Sequence, residues 1–273
     1  MPNIETNGAI LEYIEKGQGN PVVFVHGSLN DFRSWSLQMG PFSKQYRAIA
    51  YSRRYHYPNA GPGDSSDYSV NLHAEDLASL IKGLRLQRPH IVGSSYGAYI
   101  ALVLAAKNPE LVRSLIVGEP PILPWLEGTE DGMHLLASFM MNVWEPSKRS
   151  FQLGNMEDGA RTFINGVLGQ GTFDKLQPSV RAAMTDNAHE LKAETLSPCT
   201  FSAFACDDAK KIKVPTLLLT GELSPPIFRP IIKELQRCIP EAECSIIPKS
   251  SHAMHAGNPE AYNAQVLSFL SRH

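Results

Sequence analysis

Short apolar runs recur along this chain, at Val22 to Val25, Ala48 to Tyr51, His90 to Val92, Ser114 to Val117, Thr216 to Leu219 and Cys244 to Ile247, with helical periodicity between them. Runs this short, apolar on both faces and alternating with helices, describe a mostly parallel sheet covered on both sides. The covering helices are visible too. Leu77, Leu80, Ile81 and Leu84 share one helical face, as do Tyr262, Val266, Phe269 and Leu270. Asn258 stands where an N-cap belongs and Pro259 where a first-turn proline is tolerated. The residues before Gly17 predict an antiparallel hairpin.

The alternation breaks between the strand ending near Gly118 and the one beginning at Pro215. Helical patterns fill that gap (Leu136, Phe139, Met140, Val143; Ala160, Phe163, Ile164, Val167; Val180 to Leu191), broken by glycine and proline clusters. An insertion of this size after one strand of an α/β sheet is most simply a lid over the sheet's C-terminal edge, where ligands bind. The expected division is a core of residues 1–119 and 213–273 and a helical cap of residues 120–212.

A length of 273 residues suits one α/β domain with an insertion better than two independent domains. With 25 basic against 27 acidic residues, nothing favours nucleic acid or an anionic membrane as partner. The start, MPNIETNGAILEYIEKG, has no basic segment followed by an apolar one, and no apolar run reaches bilayer length, so a cytoplasmic protein is expected. Cys199, Cys206, Cys238 and Cys244 show no C-x-x-C spacing and no neighbouring histidine pattern, so four reduced thiols and no metal site are expected.

The chemistry is carried by PHIVGSSYGAYIALVLAAKNPE, where Gly93, Ser94, Ser95, Tyr96 and Gly97 spell G-x-S-x-G. Alone the pattern is weak. Here it follows a buried strand directly and opens a helix whose Ala98, Ala101 and Ala105 permit close packing on the sheet. An abrupt strand-to-helix turn strains its middle residue, and bulky side chains two positions either side would collide. Ser95 then projects from the sheet as a nucleophile, with the Tyr96 N–H free at a helix N-terminus. The loop after PVVFVHGS supplies a second oxyanion donor, the backbone N–H of Ser28. His26 in that loop reads as a packing and hydrogen-bonding residue.

With FVHGS, VGSSYGA, LLLTGE and IPKSSHAMHAGNPEAYNAQVLSFL in place, the chain resembles the α/β-hydrolase fold superfamily with a helical lid. The resemblance implies about eight strands and a triad in the order Ser, acid, His. His252 fits the position of the base, with His255 as the lesser candidate. For the acid the family usually offers G-x-x-D, and here Gly221, Glu222, Leu223 and Ser224 put a serine in its place. Serine cannot carry the charge that stabilises an imidazolium. In the family's strand order the middle strand ends beside the same histidine loop, and RSLIVGEPPILPW puts Glu119 at its tip. Glu119 is therefore the assigned acid, with Glu222 and an acidless site left open.

Arg53 and Arg54, in the long loop after Tyr51, are read as internal partners of carboxylates more than as binders of an anionic substrate. Leu29, Trp125, Phe139 and Trp144 are the expected substrate pocket. The function that follows is a serine hydrolase without cofactor, cleaving a carboxylic ester or lactone of a medium-sized apolar or aromatic substrate through an acyl-enzyme on Ser95. Carbon-carbon bond hydrolysis, thioesterase or acyltransferase chemistry, and a receptor-like binding role on the same fold are the alternatives; monomer and homodimer are both open.

Overall fold

The computed structural model describes residues 1–59 and 67–273. Strands β1 (Asn3–Thr6), β2 (Ala9–Lys16), β3 (Pro21–Val25), β4 (Arg47–Tyr51), β5 (His90–Ser94), β6 (Ser114–Gly118), β7 (Thr216–Gly221) and β8 (Glu243–Ile247) form one sheet in the order β1-β2-β4-β3-β5-β6-β7-β8. The β1–β2 and β2–β4 pairs are antiparallel and the rest parallel. Strands β3, β5 and β6 are buried along their whole length, as the unbroken apolar runs require. The last strand differs from its expectation: β8 is the sheet edge, and Cys244 and Ile246 face solvent.

Helices Val70–Gly83 and Tyr96–Lys107 cover one face. Pro259–Leu270, capped by the Asn258 side chain on the Ala261 N–H, covers the other with Trp35 and Phe42. Between β6 and β7 the chain is helical. Glu130–Phe139 runs through a π-helical turn, Met140–Trp144, into Glu145–Gln152; Met156–Leu168, Pro178–Asp186 and Ala188–Leu196 follow. These helices share an apolar cluster that includes Trp144, Phe151, Phe163, Phe173 and Leu191. The stretch read as one helix from Val180 to Leu191 is interrupted at Asn187. Its buried side chain donates to Asp31 Oδ2 at 2.8 Å and accepts the Tyr57 N–H at 2.8 Å, fastening the break to the core.

The reading of four free thiols is corrected. Cys206 and Cys238 are disulfide-bonded, with Cα atoms 5.4 Å apart, while Cys199 and Cys244 are free and exposed. The pair lies 32 residues apart in sequence and meets only because a short helix, Cys206–Ala209, packs on Phe228–Cys238. No helix of the described residues is long and apolar enough to cross a membrane.

Candidate active site

Register brings the ends of β5 and β6 level, Ser94 pairing with Gly118, and sets them beside the last residues of β7, where Gly118 pairs with Leu219 and the strand runs on to Gly221. Residues just beyond these tips therefore meet. Ser95, the first of them, has φ 54° and ψ −125°, a conformation that an L-residue adopts only under strain. Its N–H donates to the Gly118 carbonyl at 2.7 Å, which locks the turn onto β6. Gly97 lies so close to β3 that a Cβ would sit 2.2 Å from the Val25 oxygen and 2.5 Å from that of His26. Backbone on both sides cannot yield, so Gly97→Ala is expected to cost about 3 kcal/mol or more of stability, measurable by urea unfolding.

Gly27 touches the nucleophile from the other side, where an added Cβ would meet Ser95 Cβ at 2.9 Å. Beyond it the backbone N–H of Ser28, like that of Tyr96, has no hydrogen-bond acceptor among the described residues. Leu29 has φ 57°, and its N–H donates to Glu190 Oε2 at 3.2 Å. A carboxylate from the inserted helices thus holds the loop that presents the Ser28 N–H.

Glu119 caps β6 with φ 46° and is fully buried. Its Oε1 accepts the Thr220 hydroxyl at 2.5 Å and the Gly221 N–H at 3.0 Å. Its Oε2 accepts the Ser224 hydroxyl at 3.0 Å and faces His252 Nδ1 at 2.7 Å. Burial opposes ionisation, but the hydrogen bond and charge of His252, with the Thr220 and Ser224 hydroxyls, outweigh it and hold this carboxyl below its ordinary range. An ionised Glu119 fixes the proton of His252 on Nδ1 and leaves the Nε2 lone pair for chemistry. Phe228 stacks on the imidazole, 4.1 Å away and 7° from parallel, and keeps its plane.

Ser224, at the position where the resemblance leads one to expect an acid, thus donates a hydrogen bond to Glu119. Glu222 is turned elsewhere, its Oε2 accepting the exposed Lys249 N–H at 2.7 Å. His255 is buried against Trp35, 4.4 Å between ring centroids, away from Glu119.

A family model of the alpha/beta hydrolase family matches residues 22–265, nearly the whole described architecture. The chain belongs to that family. This alpha/beta hydrolase is 25% identical over 291 residues to epoxide hydrolase 3 of Mus musculus, covering 99% of this chain and 76% of that one. It is 24% identical over 269 residues to the 2-(acetamidomethylene)succinate hydrolase of Mesorhizobium japonicum, covering 95% and 91%. Among solved structures it is similar to the enol-lactonase from Burkholderia xenovorans LB400, with a TM-score of 0.79, 21% identity, and 99% and 100% of the two chains covered.

In the hydrolase a narrow cavity reaches Ser95, lined by Ser28, Phe139, Trp144, Phe163, Phe201 and Phe228 among others, with Glu194 as its one ionisable side chain. Its volume of about 20 Å³ holds little more than a single water. Of the four expected pocket residues, Phe139 and Trp144 line it. Trp125 does not: its indole N–H is spent on the Phe204 carbonyl at 2.5 Å and its ring stacks on Phe204. Leu29 is also elsewhere, fully buried among the inserted helices. Phe163, Phe201 and Phe228 were not anticipated.

The two arginines pair internally, Arg54 with Asp76 at 2.7 Å and Arg53 with Glu190 at 3.4 Å, the latter pair fully buried. Part of their loop, residues 60–66, lies outside the described residues. Tyr68 donates its hydroxyl proton to Glu190 in a short contact, and Arg53 lies 5.1 Å from the Tyr96 ring. His26 is neutral: its Nε2 accepts the Arg53 N–H at 2.9 Å and its Nδ1 donates to the Gly27 carbonyl, while burial pushes its pKa well down. Glu194 lies one helical turn past Glu190. Burial and then the Glu190 charge push its carboxyl well above the usual carboxylate range, against the Ser28 hydroxyl and Arg53.

Proposed function

We propose that this hydrolase cleaves a carboxylic ester or lactone through an acyl-enzyme on Ser95, and that residues 120–212 act as the lid over that site. The observation that carries the reading is the buried Glu119–His252 hydrogen bond at the tip of the strand beside a strained, glycine-flanked serine. His252 Nε2 takes the Ser95 proton as Oγ attacks the carbonyl carbon, and Glu119 stabilises the imidazolium that forms. The developing oxyanion lies between the Ser28 and Tyr96 N–H groups, which stabilise it more than they do the neutral carbonyl. His252 then protonates the leaving oxygen. In the second half it deprotonates water, which attacks the acyl carbon, and it passes that proton to Ser95 Oγ as the acyl bond breaks, restoring the starting state.

An ester or lactone is favoured over an epoxide, the substrate named for one relative, by the nature of the nucleophile. Serine opening an epoxide would give an ether, which has no carbonyl for water to attack, whereas an acyl serine is hydrolysable. The lining favours a substrate with an apolar or aromatic part, and a small molecule is the expected partner.

Two measurements test the reading: labelling by a fluorophosphonate, and hydrolysis of p-nitrophenyl butyrate. Folded protein that neither reacts with the first nor turns over the second sinks it. Glu222→Gln is expected to keep most of the wild-type rate, within about threefold, because its carboxylate only fixes the Lys249 turn. A large loss would return Glu222 to candidacy as the acid.

A further inference from the structure

Glu194 has no part in the steps above, yet it is the one ionisable side chain lining a mostly apolar cavity that contains Ser95 and that, as it stands, has room for little more than one water or hydroxyl group. A carboxyl placed among aromatic rings is costly unless something uses its hydrogen-bonding capacity. Its partners inside the protein are meagre. Tyr68 approaches Oε2 at 3.3 Å, but the single Tyr68 proton is committed to Glu190. Arg53, the neighbouring cation, is already shared by Glu190, Tyr68 and the His26 carbonyl. Ser28 lines the same cavity, and its backbone N–H has no acceptor among the described residues. The three polar side chains Ser28, Ser95 and Glu194 thus share one cavity with aromatic and aliphatic walls.

We propose that Glu194, with the Ser28 hydroxyl, is a specificity-determining subsite that hydrogen-bonds an oxygen substituent on the acyl chain close to the scissile carbonyl, so that hydroxyacyl substrates are preferred over plain alkanoyl ones. This rests on the acyl-enzyme reading for its substrate class, and deepens it. A hydroxyl group offers both a donor and an acceptor, so it can pair with a carboxyl and a serine hydroxyl whichever of them carries the proton between them. An alkanoyl chain of the same length displaces solvent from Glu194 and offers it no hydrogen bond in return, a penalty that translates into a preference of about tenfold or more.

The test uses three acyl groups, each in two forms. The p-nitrophenyl esters of butyrate and of each 3-hydroxybutyrate enantiomer report turnover, and the matching anilides report binding to Ser95→Ala protein by calorimetry. The expected result is a kcat/KM ratio and a Kd ratio of at least about tenfold in favour of one hydroxyacyl enantiomer. Both ratios should collapse toward one in Glu194→Leu and persist in Glu194→Gln, which keeps a donor and an acceptor. The ratio carries the test, so a general loss of rate from misfolding does not imitate the result. Ratios near one with Glu194 intact, or unchanged in Glu194→Leu, overturn the proposal and need no variant that might fail to fold in the first case. Discrimination in binding without Ser95-dependent turnover of any ester supports the subsite and overturns the hydrolase reading instead.

Discussion

Ser95→Ala is expected to lower kcat for p-nitrophenyl butyrate by about 10⁵ to 10⁶-fold and to abolish fluorophosphonate labelling. The scale follows from the covalent route. Without the Oγ atom His252 has nothing to deprotonate but water, and the oxyanion donors at Ser28 and Tyr96 are left to stabilise a reaction no longer aimed at their site. The fold should survive, because the hydrogen bond that locks the turn comes from the Ser95 N–H to Gly118 and not from its side chain. A companion variant separates strain from chemistry. At φ 54° a glycine sits without steric cost, so Ser95→Gly should be as inactive as the alanine variant and more stable than wild type by about 1 kcal/mol. An active Ser95→Ala protein would mean that another residue is the nucleophile.

The second large effect belongs to Glu119→Gln, with an expected loss in kcat of about 10³ to 10⁴-fold. Four donors converge on this carboxylate, from Thr220, Gly221, Ser224 and His252. An amide puts its own N–H₂ among them, which either repels His252 Nδ1–H or forces the imidazole into the wrong tautomer. The same geometry predicts a partial cure. Ser224 already reaches Glu119 Oε2 at 3.0 Å, so Ser224→Asp in the Glu119→Gln background delivers a carboxylate to the same neighbourhood from β7. At least a hundredfold recovery over the single variant is expected in steady-state kinetics. Retention of most activity by Glu119→Gln alone would remove it from the site.

Much of this was legible in the sequence, for a local reason. Buried parallel strands show as unbroken apolar runs, and a strand turning straight into a helix leaves small residues at fixed offsets, so β3 to β7 and the Ser95 turn could be read directly. Glu119 could be located only once a strand order was assumed, because nothing near it in sequence marks it as a partner of a histidine 133 residues away. What could not be read depends on packing between distant segments. Trp125 and Phe139 look alike as apolar residues of the same insertion, yet one is turned toward Phe204 and the other toward the cavity. Cys206 and Cys238 meet through helix packing and carry no short spacing. Glu190 and Glu194 sit one turn apart in AHELKAETL, a signal of a shared helix face, but the stretch reads as an ordinary solvated helix until that face is known to be buried.

The contact between Ser224 and Glu119 bears on how working enzymes are told from their inactive relatives. A search that demands an aspartate after the TGE of β7 would classify this chain as a degenerate copy, retained for its fold after its chemistry had lapsed. The histidine does not distinguish which strand its carboxylate arrives on. On the assignment proposed above, inventories of dead enzymes drawn up by column in an alignment will include live ones wherever two adjacent strand ends can exchange a duty, and a serine hydrogen-bonded to a neighbouring strand's carboxylate is the sign to look for.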